Sequence, residues 1–250
     1  MQVYKIGNGK KTFVMIPGIN LCGVGGSVGA IEQSFSMFLE DYTIYLFDND
    51  PVLKPHMSLE DMAEEISVEL KNRNLKDVCI YGASQGGMIG LIIAAKHPEL
   101  VSKLLACSTS PNPTERSNKV FYELKDYSIN REIVKINQLF FRKVFPESFY
   151  KLNYDALKAQ ENVGTAENCD RFIVLLDSII DFDINHLLPY IKCKTMVVGD
   201  RNDMIFPEES MKRISDTIGC ELIMYEGYGH AVYDLAPDFK DRMKRFFDGV

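Results

Sequence analysis

The sequence predicts an α/β fold, with a mostly parallel central sheet flanked by helices and a helical lid insertion. Three observations carry this expectation. Apolar runs of four to six residues, rich in β-branched side chains, recur along the chain and suit strands buried on both faces. Stretches of helical period lie between them, and strands alternating with helices imply right-handed crossovers between parallel neighbours. The alternation then fails once, between Pro111 and about Leu187, where several helical patterns follow one another without a strand.

Taken in order, the opening run Val3 to Ile6 joins the next through Gly7, Asn8 and Gly9, which predicts an antiparallel hairpin on the sheet edge. The remaining runs are Thr12 to Ile16, Thr43 to Phe47, Val78 to Tyr81, Leu104 to Cys107, Thr195 to Val198 and Leu222 to Tyr225. Helical period covers Ile31 to Leu39, Leu59 to Arg73 behind Ser58 as N-cap, Gly87 to Lys96, Glu208 to Ile218, and Pro237 to Phe247. The expected organisation is one core domain formed by residues 1–111 and 187–250. Residues 112–186 form a lid over the carboxyl ends of the strands, where open α/β sheets bind ligands. Aromatic residues crowd this insertion, from Phe121 and Tyr122 through Phe140, Phe141 and Phe145 to Phe172 and Phe182. Most should pack its helices together, and some should face the core domain.

Composition narrows the partners. The 250 residues carry 28 basic and 35 acidic side chains, a net charge of -7, with no block of Lys or Arg. Such a surface repels phosphate backbones and anionic lipid, so neither nucleic acid nor a membrane is an expected partner. No apolar span of 18 residues and no basic-then-apolar leader is visible, which points to the cytoplasm. The six cysteines are scattered singly, without the spacing of a zinc site, so no metal is expected and the thiols should be reduced. Cys22 stands apart because it sits in a glycine-rich loop that could line a pocket.

Chemistry enters at Gly82-Ala83-Ser84-Gln85-Gly86-Gly87, which follows the run ending at Tyr81 and opens the helical stretch through Lys96. This is G-x-S-x-G between a strand and a helix. A serine on so sharp a turn needs glycines two positions either side, where side chains would collide. The helix start also aims free N–H groups at Ser84.

A serine hydroxyl needs a base to take its proton, and the base needs an orienting group. Four histidines are available. His97 ends a helix before Pro98, His56 lies in a Pro-flanked loop, and His186 closes the insertion, so each has a structural or solvated reading. His230, in Gly227-Tyr228-Gly229-His230, follows the last strand on a loop that can reach the strand ends. The loop after the preceding strand, Gly199 to Pro207, offers Asp200 and Asp203. Asp200 comes straight off the strand, where it can cap the turn or pair with Arg201; Asp203 has the reach for His230.

Serine, aspartate and histidine then fall in the chain order of an α/β-hydrolase. Over nearly its whole length the sequence resembles that superfamily, in its lid-bearing branch of small esterase-like enzymes. The resemblance implies Ser84 as nucleophile, His230 as general base and then acid, and Asp203 as the orienting carboxylate. It also implies an oxyanion hole from the backbone N–H groups of Gln85 and Ile19. Many relatives have His-Gly where this chain has Pro17-Gly18. Gly18 still permits the turn, and Asn20 could support the loop, touch substrate, or serve only as a turn residue.

The same loop continues through Gly23, Gly25, Gly26 and Gly29, which invites a dinucleotide-binding reading with Asp48 as the ribose acid. The spacing fails, because the third glycine of G-x-G-x-x-G would fall at Val28. No cofactor is expected. The expected activity is hydrolysis of a small, mostly apolar ester-type substrate through an acyl-enzyme on Ser84. The alternatives are a non-catalytic small-molecule sensor on the same fold, or a carbon–carbon bond hydrolase or lyase using the same three residues.

Overall fold

The computed structural model describes all 250 residues. Seven strands, β1 (Gln2–Ile6), β2 (Lys11–Ile16), β3 (Tyr42–Asp48), β4 (Val78–Ala83), β5 (Val101–Cys107), β6 (Lys194–Asp200) and β7 (Glu221–Tyr225), form one sheet in the order β1-β3-β2-β4-β5-β6-β7. All neighbours are parallel except β1, which runs antiparallel to β3.

Side chains along a strand point alternately to the two faces, and that period divides the core into two layers. Phe13, Met15, Ile44, Leu46, Tyr81, Leu105, Met196 and Val198 face one way. There they meet α11 (Phe239–Asp248) through Phe239, Met243, Phe246 and Phe247. Val14, Ile16, Phe47, Ile80, Leu104, Ala106 and Val197 face the other way. They meet α2 (Leu59–Asn72), α3 (Gln85–Lys96) and α9 (Glu208–Ile218). A helix packed on the sheet and covered by other elements on its remaining sides is apolar nearly all round, as α3 is: ten of its twelve residues are buried. Ser58 caps α2 as expected, its hydroxyl accepting from the Asp61 amide while the Asp61 carboxylate accepts from Ser58.

The expected hairpin between the first two strands is not formed, because β3 lies between them. Residues Phe13 to Ile16 are buried on both faces, so β2 is an interior strand that needs a neighbour on each side. β1 is only partly buried along most of its length and takes the edge. The glycine turn serves a different purpose. A Cβ on Gly9 would lie 2.0 Å from the Tyr42 amide nitrogen and 2.1 Å from the Asp41 carbonyl carbon, so Gly9 lets the start of β3 pass. The expected helix over Ile31 to Leu39 is also displaced: α1 spans Val28–Ser34 and a separate single turn covers Ser36–Phe38.

Between β5 and β6 the chain is entirely helical: α4 (Glu115–Ile129), α5 (Ile133–Val144), α6 (Glu147–Leu152), α7 (Tyr154–Gln160) and α8 (Ala166–Ile179), then one turn over Asn185–Tyr190. Thr114 and Thr165 cap α4 and α8. Val120, Phe121, Phe172, Leu175 and Leu176 of this segment are continuous with the buried layer that contains α3. After β7, a turn at Gly229–Ala231 and the short α10 (Val232–Leu235) lead into α11. No helix is long and apolar enough to cross a membrane.

Candidate active site

One residue separates β4 from α3, and it is Ser84, at φ 54°, ψ −120°. A non-glycine residue held there costs roughly 1–3 kcal/mol and persists only where its surroundings fix it. They do. The Ser84 amide donates to the Cys107 carbonyl at 2.9 Å, and the Ser84 carbonyl accepts from Thr109 Oγ1 at 2.8 Å. The flanking glycines are required sterically: a Cβ on Gly82 would lie 2.2 Å from the Gly86 oxygen, and one on Gly86 2.0 Å from the Ile16 oxygen.

His230 sits in the turn after β7, where its Nδ1 donates to Asp203 Oδ2 at 2.8 Å. Both residues are buried, at 2% and 1% exposure, so this pair is shielded from solvent. The other carboxylate oxygen of Asp203 accepts from the amides of Ile205 at 2.7 Å and Phe206 at 3.0 Å. These bonds fix the carboxylate, and the carboxylate fixes the imidazole, whose second nitrogen, Nε2, remains for proton transfer. Phe206 and Tyr233 pack near the ring, with centroids at 5.8 and 6.3 Å. Burial raises the Tyr233 phenol well above its usual range, so it stays uncharged. Asp200 caps its own turn and reaches across to β7's loop, accepting from the amides of Asn202 and Tyr228. Arg201 pairs with Glu208 instead.

Ser84 and His230 line the same small cavity, of about 30 Å³, together with Gly18, Ile19, Ile205 and Tyr233. Its other wall comes from the helical insertion: Val120, Phe121 and Leu124 of α4, and Phe140 and Lys143 of α5. Aromatic density marked this segment in the sequence, but which side chains turn inward depends on how α4 and α5 pack. A larger concavity, about 560 Å³, is an open groove along the acidic face of α2 that contains His56 and none of these residues. His97 is half-buried against Glu64.

The loop after β2 approaches Ser84 closely, and a Cβ on Gly18 would lie 2.9 Å from the Ser84 Cβ. Ile19 lines the cavity beside it, and Gln85 is the first residue of α3, where a helical amide lacks an intrahelical acceptor. Asn20 is not in the cavity. Its side-chain amide turns back to the Gly18 carbonyl at 3.2 Å, and its carbonyl accepts from Arg171 Nη1 at 2.9 Å.

Two further contacts were not visible in the sequence. The buried side chain of Gln85 donates to Ser178 Oγ at 2.9 Å and to the Leu175 carbonyl at 3.3 Å, tying the serine turn to α8. Arg171, also on α8, forms a buried ion pair with Asp48 at 3.0 Å. Asp48 in turn accepts from the Val24 amide at 2.7 Å and would collide with a Cβ on Gly23. The glycine-rich loop and its acid are thus occupied with each other. All six cysteines are free, and Cys22 is exposed. No three His, Cys, Asp or Glu side chains converge as a metal site would require.

A profile of the α/β-hydrolase fold matches residues 16–237. The chain belongs to that family. Among curated proteins it is similar to the Rhizobium rhizogenes protein named "Putative carbamate hydrolase RutD", at 26% identity, covering 90% of this chain and 89% of that one. Among solved structures it resembles MGS-M2, an α/β-hydrolase enzyme from a deep-sea metagenome library, with a TM-score of 0.87, 18% identity, and 99% and 94% of the two chains covered. The enol-lactonase of Burkholderia xenovorans LB400 superposes with a TM-score of 0.82 at 13% identity, over 99% and 96% of the chains. At these identities the structural likeness concerns the fold.

Proposed function

We propose that this family member is a serine hydrolase that cleaves a small, mostly apolar ester-type substrate through an acyl-enzyme on Ser84. The observation that carries this reading is a buried His230–Asp203 pair at 2.8 Å whose imidazole shares a cavity with a strained serine. The Ser84 hydroxyl attacks the substrate carbonyl while His230 Nε2 takes its proton. The backbone N–H groups of Ile19 and Gln85 hold the developing oxyanion, each donor being worth about 10²- to 10³-fold in rate. His230 then protonates the leaving group, and water, deprotonated by the same imidazole, releases the acid and restores Ser84.

A cavity of about 30 Å³ holds one or two waters and no ester. In this reading residues 112–186 serve as a lid that opens to admit substrate. Carbamates belong in the substrate panel because of the name carried by the RutD relatives, and the same acyl transfer would cleave them.

Treatment with a fluorophosphonate probe and with short-chain p-nitrophenyl esters and carbamates tests the reading. Covalent labelling and turnover are expected, both lost in Ser84→Ala with its thermal melt unchanged. Labelling without turnover across the panel would favour a binding protein, and turnover that survives Ser84→Ala would overturn the acyl-enzyme.

A further inference from the structure

Beside the Ser84 cavity lies a second cleft of about 240 Å³, between the loop after β2 and helices α5 and α8, and Phe140 lines both. Leu21, Ile136, Phe141 and Phe172 supply much of its wall. Asn137 also borders it, but its side-chain amide is used to hold the backbone of the opposite bank, donating to the carbonyls of Glu161 at 2.9 Å and Val163 at 3.0 Å. The interior is mostly apolar, with Asn20 and Gln160 as its other polar lining residues, and it opens to solvent where Cys22 and Val163 are exposed.

We infer that this cleft receives the acyl chain of the substrate and that Phe140 sets how long a chain can be accepted. The inference rests on the serine-hydrolase reading and assigns one side of it. The leaving group must face His230, which gives it a proton, so the acyl group lies on the side away from His230. Neither His230 nor Tyr233 touches the second cleft, whereas Asn20 to Gly23, the continuation of the proposed oxyanion loop, form one of its banks. The Ser84 cavity has no room for a chain, and the neighbouring space is mostly apolar and shares with it the partly exposed ring of Phe140. Each methylene transferred from water into such a surface is worth about fourfold in affinity.

Two variants of opposite size test this. Phe140→Ala removes the shared ring, and Val163→Trp fills the far cleft. The readout is the kcat/KM ratio of p-nitrophenyl hexanoate to p-nitrophenyl acetate, with hexyl acetate as the control for chain length on the alcohol side. The ratio is expected to rise at least fivefold in Phe140→Ala and to fall at least tenfold in Val163→Trp; loss of folding cannot move it both ways. Unchanged ratios, or effects confined to hexyl acetate, would overturn the assignment. Binding of ethyl hexanoate and ethyl acetate to Ser84→Ala, followed by calorimetry, separates the two readings. If the wild type hydrolyses no ester but hexanoate still binds at least tenfold more tightly than acetate, and Val163→Trp in that background removes the difference, the cleft stands and the hydrolase reading falls. No preference for hexanoate overturns the cleft.

Discussion

The Asp203 carboxylate accepts three hydrogen bonds, two from backbone amides to one oxygen and one from His230 to the other. Asp203→Asn can keep the first two by presenting its carbonyl to Ile205 and Phe206. Its amide then faces His230 Nδ1 as a donor, which moves the imidazole proton to Nε2 and leaves no acceptor for the Ser84 proton. We expect kcat to fall about 10⁴-fold, with the thermal midpoint little changed, as esterase assays and calorimetry would show. The side chains at this scale were legible to unequal degrees. Ser84 is announced by glycines that its turn requires, and His230 and Asp203 by their places after consecutive strands. The Gln85 side chain and Arg171 gave no signal, because their partners lie about 90 and 120 positions away along the chain. Only the path of α8 over the serine turn brings them together. Asn20 shows the limit of reading a loop: its type suited several roles, and its side chain turns back on Gly18.

Helix α11 closes one layer of the core, and its last residue, Asp248, binds it to the sheet. Its carboxylate accepts from Lys11 at 2.7 Å, Tyr42 at 2.9 Å and Lys244 at 3.0 Å. Burial pushes this acid up, but the hydrogen bonds outweigh it and bring it down to about 2. A carboxyl depressed by folding stabilises the native state at pH values above its unfolded pKa, about 4, and loses that contribution as pH falls toward 2. Thermal melts of the wild type should lie above those of Asp248→Asn at pH 6, with the gap closing between pH 4 and pH 2; a gap constant with pH would contradict this. Glu208 to Ile218 and most strands were legible at this scale because period and capping agree with the packing they enter. β1 was read correctly as an antiparallel edge strand, but its partner was misread, because turn chemistry at Gly7-Asn8-Gly9 favours a local hairpin, whereas an interior strand with two buried faces selects a distant neighbour.

Across the whole molecule, the helices between β5 and β6 are joined to the sheet by more than apolar contact. Arg171 donates to Asp48 of β3, to the carbonyl of Asp50 and to the carbonyl of Asn20, all from a side chain 2% exposed. Breaking such a pair from one side leaves a charge stranded, so Arg171→Met should lower unfolding stability by about 3–5 kcal/mol. Adding Asp48→Leu should recover part of that loss, and urea titration of both variants would show it. The helical character of residues 112–186 was legible from the missing alternation, but this anchor was not, since an arginine in a helix is ordinarily solvated. The sheet order carries its own consequence for biogenesis. Because β3 occupies the place between β1 and β2, residues 2–16 have no sheet partner in each other. During synthesis β1 must wait, unpaired, until residue 48 has emerged, and every later strand adds outward from β2 in the order in which it is synthesised.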